Sequence, residues 1–568
     1  MAPVGSGGGD IQVAALARRK ALAGTSGPMA LVKNAKVFDI ACFACLGVLL
    51  YGYNQGVFSG VLTMNSLKRH LQTLEWSSSK QDWLFSILEL GAWFETMYSG
   101  FLAEILSRKW IILINVSISI VGVVVQCTAI TGIGHSAILG GRFVIGMGVG
   151  SLSMIVPIYN AEVTPPEVRG ALVGLQQLSI MLGIMVPFWI DYGTDYIGGT
   201  GAGQKDSAWL IPLALQLAPA VLLGVGMLFM PFSPRWLVHH NRENEARRVL
   251  AQLRGLSQED ELIELEHSEI RAQSLFEKKS LVENFPHLQD MSAASTFKLQ
   301  FVAIGNLFTT KGMFKRVMIS VLTMLFQQWT GINAILYCAP IIFDDLGLSS
   351  NSVSLLATSV VGIIMFLAMI LISGAIGMDA CHFIISRIVA SFEKDWPHHQ
   401  GAGWAVCAMV WLFVVFFGYS WGPYSWIVMA KIWPLANRPY SIALGASSNR
   451  MNNFMVGQVT PDMLTHLRCG TYMFFDISTV VGAAFIIFFF PETKGLSLKM
   501  DHLSGSVGTA QREKERWNKV YREVGLAELL ERCGLVDQTV GSSASIGKEQ
   551  PSHNDALEKA KPAFYELA

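Results

Sequence analysis

Charged residues are scarce in this sequence. Asp, Glu, Lys and Arg make up 15% of 568 residues, while hydrophobic residues make up 52%. An ordinary soluble domain has roughly a quarter of charged residues, so this chain cannot cover a globule of its size with polar side chains. Most of it must face lipid or other apolar helices. The formal net charge is +0, which offers no basic surface for nucleic acid.

Several functional motifs are missing as well. The 8 cysteines show neither the paired spacing of secreted proteins nor a CxxC…CxxC metal pattern, so we interpret them as small buried hydrophobes. We find no HExxH, no GxSxG and no Walker loop. The polar, glycine-rich amino terminus does not resemble a cleavable signal peptide. The sequence thus predicts no enzyme, no metal and no cofactor.

Apolar runs long enough to cross a bilayer recur along the chain. The longest one, 352–390, is about twice as long as one span needs, so we count it as two and predict an all-α integral membrane protein with twelve spans. A charged connection separates six runs from six, and the positive-inside rule places it in the cytosol. The runs lie near 38–58, 83–104, 110–132, 138–159, 170–191, 208–231, 316–338, 352–390, 403–430, 440–459 and 470–490.

An internal repeat supports this division. "EVTPPEVRGAL" (162–172) follows span four and "KIWPLANRPYS" (431–441) follows span ten, while "PFSPRWL" and "PETKGLS" close the two halves. Such a repeat predicts two six-helix bundles. The predicted divisions are a tail (1–36), the first bundle (37–231), a central loop with short helices (232–315), the second bundle (316–490) and a second tail (491–568), in which 509–534 could form one helix.

The repeat also exposes a missing turn. A charged segment (100–110) joins spans two and three, but its counterpart, "MILISGAIGM" (369–378), has no charge. We therefore predict that spans eight and nine are truncated at 365–378 and fused in sequence. We favour a bend at Ser373-Gly374 into two short spans. The alternative is that the run crosses the membrane once, which would reverse the orientation of every later span and place the carboxyl-terminal tail outside. A charged segment omitted from the gene model near residue 370 would also explain the gap.

Eight motifs carry a family resemblance over about 37–500. They are "YGYNQGVFSG", "GRFVIGMGVGS", "EVTPPEVRGALVGLQQL", "PFSPRWL", "QQWTGINAILY", "GYSWGPYSW", "NRPYSIALGASSN" and "PETKGLSL". With them the chain resembles the fungal sugar porters of the major facilitator superfamily. The resemblance implies two six-helix bundles, a central site and alternating access. It also implies a monomer in the plasma membrane with both termini in the cytosol.

The resemblance implies a set of sugar-binding residues. Sugar hydroxyls both donate and accept hydrogen bonds, as neutral amides do. Gln327 and Asn333 share a face only if their helix is broken, and Gly331 permits that break. The alternatives are hydrogen bonding between helices for the amides and lipid-interface positions for the tryptophans. The implied residues are Gln177, Gln327, Gln328, Asn333 and Asn453, with Trp421 and Trp426 stacking on the sugar.

Asn54 bears on energetics. Proton-coupled members of the family have an Asp at this position, and an amide cannot titrate. We therefore predict facilitated diffusion of a hexose or related polyol. The alternatives are a proton-coupled sugar or quinate symporter, a nutrient sensor that signals through its tail, and a copy that no longer transports.

Further charged residues fall into two groups. The resemblance implies a gating network at the cytosolic ends of the spans, with Arg108 and Arg142 as partners of Glu162. Other charges depart from the family, which has small residues at 95 and 476, Trp at 450 and an acid at 431. An unpaired charge at a helix centre costs about 2.5–3.5 kcal/mol on insertion scales. The network comprises Glu104, Arg108, Arg142, Glu162, Arg169, Arg235, Arg438 and Glu492, and the departures are Glu95, Lys431, Arg450 and Asp476.

Overall fold

The structure of the chain is a computed structural model. The structure describes residues 11–23, 34–72, 78–131, 134–165, 168–201, 203–284, 305, 307–309, 311–345, 351–368, 375–392, 396–433, 438–489 and 516–532.

Every predicted span coincides with one helix or with two consecutive helices. The first six spans are Ala35–Ala44 with Leu46–Val61, Ser78–Ile105, Arg108–Cys127, His135–Val163, Arg169–Thr194, and Ser207–Leu215 with Leu217–Phe229. The last six are Lys311–Gln328 with Ile332–Asp345, Asn351–Ala368, Ala375–Phe392, Gln400–Tyr419 with Trp421–Lys431, Arg438–His466, and Cys469–Phe489. Within the described residues, 7 helical segments are long and apolar enough to cross a membrane by length and composition. The prediction of an all-α membrane protein is confirmed.

The two halves pack by the same scheme. In the first half, span four packs on spans two and three, span one on span five, and span three on span six. In the second half, span ten packs on spans eight and nine, span seven on span eleven, and span nine on span twelve. Between the halves, span two contacts span eleven, span five contacts span eight, and span one contacts span seven. If the two halves are exchanged, each of these pairings becomes another pairing of the set, and the pairing of spans one and seven becomes itself. This is expected for an internal repeat.

Close packing inside the first half depends on small residues. Gly150 of span four lies against span two, and a Cβ atom added to it would stand 2.6 Å from the Cα atom of Ala92. A larger residue would push the two helices apart. Helices in membranes use small residues for this purpose.

The fused run at 352–390 forms two separate helices. Span eight, Asn351–Ala368, and span nine, Ala375–Phe392, have 18 residues each, whereas spans two and three have 28 and 20. They take the packing places of spans two and three in the other half. An 18-residue helix is about 27 Å long, close to the roughly 30 Å of a bilayer's hydrocarbon core. Ser373-Gly374 lies outside the described residues, so the bend and the truncation stay predictions.

The loop and both tails contribute to a small assembly outside the bundles. It comprises the helices Ile11–Ala23, Glu261–Asn284, 516–523 and Leu526–Arg532. The rings of Phe276 and Trp517 stack with centroids 3.9 Å apart, and Arg18 pairs with Glu261 at 2.7 Å. The prediction of one helix over 509–534 is wrong for the described part, because the chain turns at Gly525 with φ +80°.

The remaining helices are short. They are Asn65–Gln72 between spans one and two, Thr128–Thr131 after span three, Pro234–His239 and Glu243–Arg254 in the central loop, and Trp396–His398 before span ten. We call the end of the bundles that carries the central loop the loop face.

Candidate substrate site

A cavity lies between the two halves. Its volume is about 60 Å³, which leaves room for only a few water molecules. Its lining combines amides, aromatic rings and one guanidinium group. The lining residues are Tyr51, Gln55, Gln177, Ile180, Met181, Ile184, Gln327, Gln328, Ile332, Asn333, Leu336, Phe417, Trp426, Asn449 and Arg450.

A break in span seven brings three of the predicted residues to this cavity. The first helix of the span ends at Gln328 and the second begins at Ile332. Gly331 between them has φ +87°, a conformation that glycine adopts without the steric cost of a side chain. The break lets Gln327, Gln328 and Asn333 line one cavity, as the sequence predicted.

The amide side chains of the cavity differ in the hydrogen bonds that they already make within the protein. Gln327 Nε2 donates to the carbonyl oxygens of Trp421 at 3.0 Å and Gly422 at 3.1 Å, and its Oε1 accepts from Asn449 Nδ2 at 2.9 Å. Asn333 Nδ2 donates to Gln328 Oε1. Gln177 lines the cavity and makes no hydrogen bond to the described part of the chain. Its amide is therefore available to a solute, while that of Gln327 holds span ten at its break.

Two of the predicted binding residues, Trp421 and Asn453, do not line the cavity. Trp421 is buried and faces Gly482 of span twelve rather than the lining. Asn453 Oδ1 accepts a hydrogen bond from Tyr337 at 3.1 Å. Trp426 does line the cavity. The binding roles of all seven residues stay predictions.

Asn54 is packed inside the first half. It is buried, it is not among the lining residues, and its Nδ2 donates to the carbonyl of Leu50 at 2.8 Å in its own helix. Its Oδ1 has no partner among the described residues. An amide bonded to its own helix has no means of exchanging protons.

The sequence analysis missed a carboxylate beside the cavity, Glu89 of span two. Glu89 is 0% exposed and Arg450 of span eleven is 1% exposed, and Glu89 Oε2 lies 3.5 Å from Arg450 Nη1. Tyr51 and Gln55 donate to Glu89 Oε1 at 3.0 and 2.9 Å. A signal was present, because Glu89 is a second carboxylate in a span already known to contain Glu95.

Arg450 is held from several sides. Its Nη2 donates to Ser153 Oγ at 2.6 Å, and its Nη1 donates to the hydroxyl of Tyr51. The guanidinium lies 4.0 Å from the centre of the Tyr51 ring. Its Nε has no partner among the described residues. The side chain thus lines the cavity with unused donor capacity.

Other charges that depart from the family lie elsewhere. Glu95 is 1% exposed, and neither of its carboxylate oxygens has a hydrogen-bond partner in the described residues. It faces Ser151 of span four rather than the cavity. Asp476 of span twelve lies near Asp379 of span nine.

One ion pair of the predicted network is present at the loop face. Arg108 Nη2 lies 3.0 Å from Glu162 Oε1, and Ser233 Oγ donates to Glu162 Oε2 at 2.5 Å. Arg235 makes no ion pair with the described residues. Glu492 lies outside the described residues, as do the side chains of Glu104, Arg169, Lys431 and Arg438.

The predicted pairing of Arg142 with Glu162 is wrong. Both residues belong to the helix His135–Val163, and twenty residues of helix separate them by about 30 Å. Arg142 is 1% exposed, lies 3.8 Å over the ring of Phe58 and interacts electrostatically with Glu89. It belongs to the central cluster instead.

His239 lies beside the loop-face pair. Burial and, to a smaller extent, the nearby charges of Lys278, His240 and Arg108 together lower the pKa of His239 to about 4. The ring is therefore neutral near pH 7. A neutral ring adds no positive charge beside Arg108.

Comparison with known protein families shows to which family this chain belongs. The family model described as sugar (and other) transporter matches residues 40–503. This chain belongs to that family. It is a multi-pass membrane transporter with the major facilitator fold, as the motifs predicted.

Relatives and solved structures agree with this assignment. A probable quinate permease of Aspergillus flavus is 29% identical over 495 residues, covering 83% of this chain and 89% of the permease. A quinate permease of Neurospora terricola is 28% identical over 498 residues, with 83% and 89% covered. The proton:xylose symporter XylE bound to 6-bromo-6-deoxy-D-glucose matches with a TM-score of 0.66 at 24% identity, covering 81% of this chain and 97% of XylE. At that identity the likeness to XylE shows the fold alone.

Proposed function

We propose that this transporter carries a hexose or a related polyol across the membrane by alternating access. The observation that supports this most directly is the amide-rich cavity between the two bundles. Amides offer donors and acceptors together, which matches the two-way hydrogen bonding of a hydroxyl group. Trp426 and Phe417 supply apolar ring surface for the C–H groups of such a solute.

The contacts between the bundles support alternating access. Ser86 Oγ donates to Gln458 Oε1 at 2.8 Å, and Ser359 Oγ donates to the carbonyl of Phe188 at 2.9 Å. Ser59 Oγ donates to the carbonyl of Tyr337 at 3.4 Å. These contacts lie at mid-span or toward the end opposite the loop face. Because the cavity holds only a few waters, the bundles must separate before a sugar-sized solute enters or leaves.

The coupling mode follows from Asn54 for neutral solutes. Asn54 cannot change its charge and is bonded within its own helix. A neutral polyol brings no charge into the cavity. Its transport is therefore facilitated diffusion, driven by its own gradient.

A second candidate substrate is a polyhydroxy acid. Arg450 lines the cavity, and a guanidinium recognises a carboxylate by charge-assisted hydrogen bonds. The similarity to quinate permeases supports this candidate.

The orientation follows from charge. We place the loop and both tails in the cytosol by the positive-inside rule, with a monomer in the plasma membrane. The helix Ile11–Ala23 packs against Leu526–Arg532, which supports placing both tails on one side of the membrane. An even number of spans requires this arrangement.

Uptake in transporter-null cells tests the proposed function. Gln177→Ala and Asn333→Ala should each abolish the saturable uptake that the wild type shows, with surface level within about twofold, because each removes one hydrogen-bonding group of the cavity. Asn115→Ala is the matched control, since this amide donates to Ile111 of its own helix at 2.9 Å and does not line the cavity. Unchanged uptake in both cavity variants would contradict the assignment. No saturable uptake by the wild type of any hexose, polyol or polyhydroxy acid would favour a sensor or an inactive copy.

A further inference from the structure

The cluster around Glu89 contains more positive than negative charge. Arg450 of span eleven and Arg142 of span four both interact with Glu89, and the other titratable groups that face it are Tyr51 of span one and Tyr337 of span seven. Two guanidinium groups thus share one carboxylate. Among the described residues, Arg142 Nε and Nη1 and Arg450 Nε have no hydrogen-bond partner. An unbalanced buried cation is unfavourable, so this cluster resists the loss of its one carboxylate charge and attracts an anionic solute.

The place for that anion is the cavity. Arg450 lines it, whereas Glu89 and Arg142 stand behind the lining. The contact between Glu89 and Arg450 is 3.5 Å, longer than the 2.7–2.9 Å of a good charge-assisted hydrogen bond. A carboxylate arriving from the cavity would meet Arg450 next to Tyr51, which lines the cavity as well, while Ser153 and Tyr51 already accept from Nη2 and Nη1.

We propose that Glu89 and Arg450 form an exchangeable ion pair that couples one proton to one carboxylate. The solute's carboxylate replaces Glu89 at the guanidinium. Glu89 then accepts a proton from a hydronium ion, forming one O–H bond and leaving a water molecule. This proposal rests on the proposed function, whose second candidate substrate it specifies.

The charge balance explains why the two events occur together. With no solute the pair is Glu89⁻ and Arg450⁺. If Glu89 were protonated alone, Arg450 would lose its charge partner in a buried site, which is unfavourable. If the acid bound alone, its carboxylate and Glu89 would compete for Arg450, because Arg142, the other guanidinium of the cluster, stands behind the lining. Binding both together leaves the charge of the cluster unchanged.

A neutral polyol gives the opposite result. It has no group that can replace Glu89 at Arg450, so the ion pair stays intact and no proton is taken up. One transporter thus carries polyols by facilitated diffusion and acids by proton symport. Asn54 does not limit the second mode, since the titrating group lies on span two.

Proteoliposomes containing the full chain and a trapped pH-sensitive dye test the exchange. The probes are labelled glucose and quinate. For the wild type we expect quinate uptake to bring about one proton per molecule into the lumen and glucose uptake to bring none. In Glu89→Gln, proton entry per quinate should fall close to zero. In the matched control Glu95→Gln, which changes a buried carboxylate of the same helix away from the cavity, the ratio should stay near one.

A double variant guards against misfolding. Glu89→Gln leaves Arg450 without its charge partner and can reduce the yield of folded protein. Glu89→Gln combined with Arg450→Gln removes both charges, and should lower quinate affinity by about tenfold or more. Loss of the monodisperse fraction on heating at a temperature close to that of the wild type shows that the double variant is folded.

The remaining outcomes separate the two proposals. Quinate uptake without proton entry in the wild type, or an unchanged ratio in Glu89→Gln, would overturn the exchange. A ratio that falls equally in Glu95→Gln would overturn it too. Glucose uptake with no quinate uptake would overturn the exchange and leave the proposed function standing. Uptake of neither solute would overturn both.

Discussion

Two glutamines of the cavity are expected to fail in different ways when replaced by leucine, a side chain of similar size. Gln327→Leu removes three hydrogen bonds, two to the carbonyls of Trp421 and Gly422 and one from Asn449. Trp421 O keeps a second donor, since Ser425 Oγ lies at 3.1 Å. Two buried groups lose a good partner, so we expect a loss of about 2–4 kcal/mol in the free energy of unfolding.

Gln177→Leu should behave differently. Gln177 makes no hydrogen bond to the described residues, so its replacement leaves no protein group without a partner. We expect its effect on stability to stay within about 1 kcal/mol. A bound solute, however, would lose a hydrogen bond in a cavity with room for only a few waters, which should weaken binding by at least about tenfold.

Two measurements on detergent-purified protein check this pair. The first is the temperature at which the monodisperse fraction is lost on heating, which ranks kinetic stability when unfolding is irreversible. The second is the affinity for a labelled solute, determined well below that temperature. Gln327→Leu should lower the temperature clearly and Gln177→Leu should lower the affinity. If both variants lose affinity and neither loses heat stability, the distinction between a structural and a binding amide is refuted.

Four further predictions follow from local geometry. Gly331→Ala should reduce the yield of folded protein, because φ is +87° and a Cβ atom would meet the Phe475 ring at 2.9 Å. The left-handed backbone conformation alone costs an alanine about 1–2 kcal/mol, and a normal yield would contradict the prediction. Trp517→Ala should speed proteolysis of residues 516–532, since the stack on Phe276 is lost; an unchanged digestion rate argues against the assembly. The pKa of His239 lies below its ordinary 6.5 in the folded protein, so the contribution of His239 to stability is complete above pH 6.5 and decreases as the pH falls toward 4. In His239→Asn the heat stability should therefore depend less on pH over that range, and an unaltered pH profile would refute this role. A glycosylation site added to the carboxyl-terminal tail should stay unmodified, and glycan addition would show that the run at 352–390 crosses once.

Local sequence was enough to predict the spans and the break in span seven. Hydrophobic runs report how readily side chains enter the hydrocarbon core, and that depends only on the residues of the run itself. The positive φ at Gly331 is likewise a local property, since glycine alone has no Cβ to resist it. The motifs then identified the family, and with it the group of residues near the cavity.

Only the tertiary structure decided which charges meet. Glu89 and Arg450 are separated by 361 positions, and a pairing at that distance leaves no periodic trace in the sequence. Arg142 was assigned to Glu162 by analogy, although the length of their shared helix keeps them about 30 Å apart. The difference between Gln177 and Gln327 is of the same kind, because it depends on whether span ten brings carbonyls within 3.1 Å of the amide. Whether a segment enters the membrane depends on its own residues, whereas which polar side chains meet depends on how the two bundles pack.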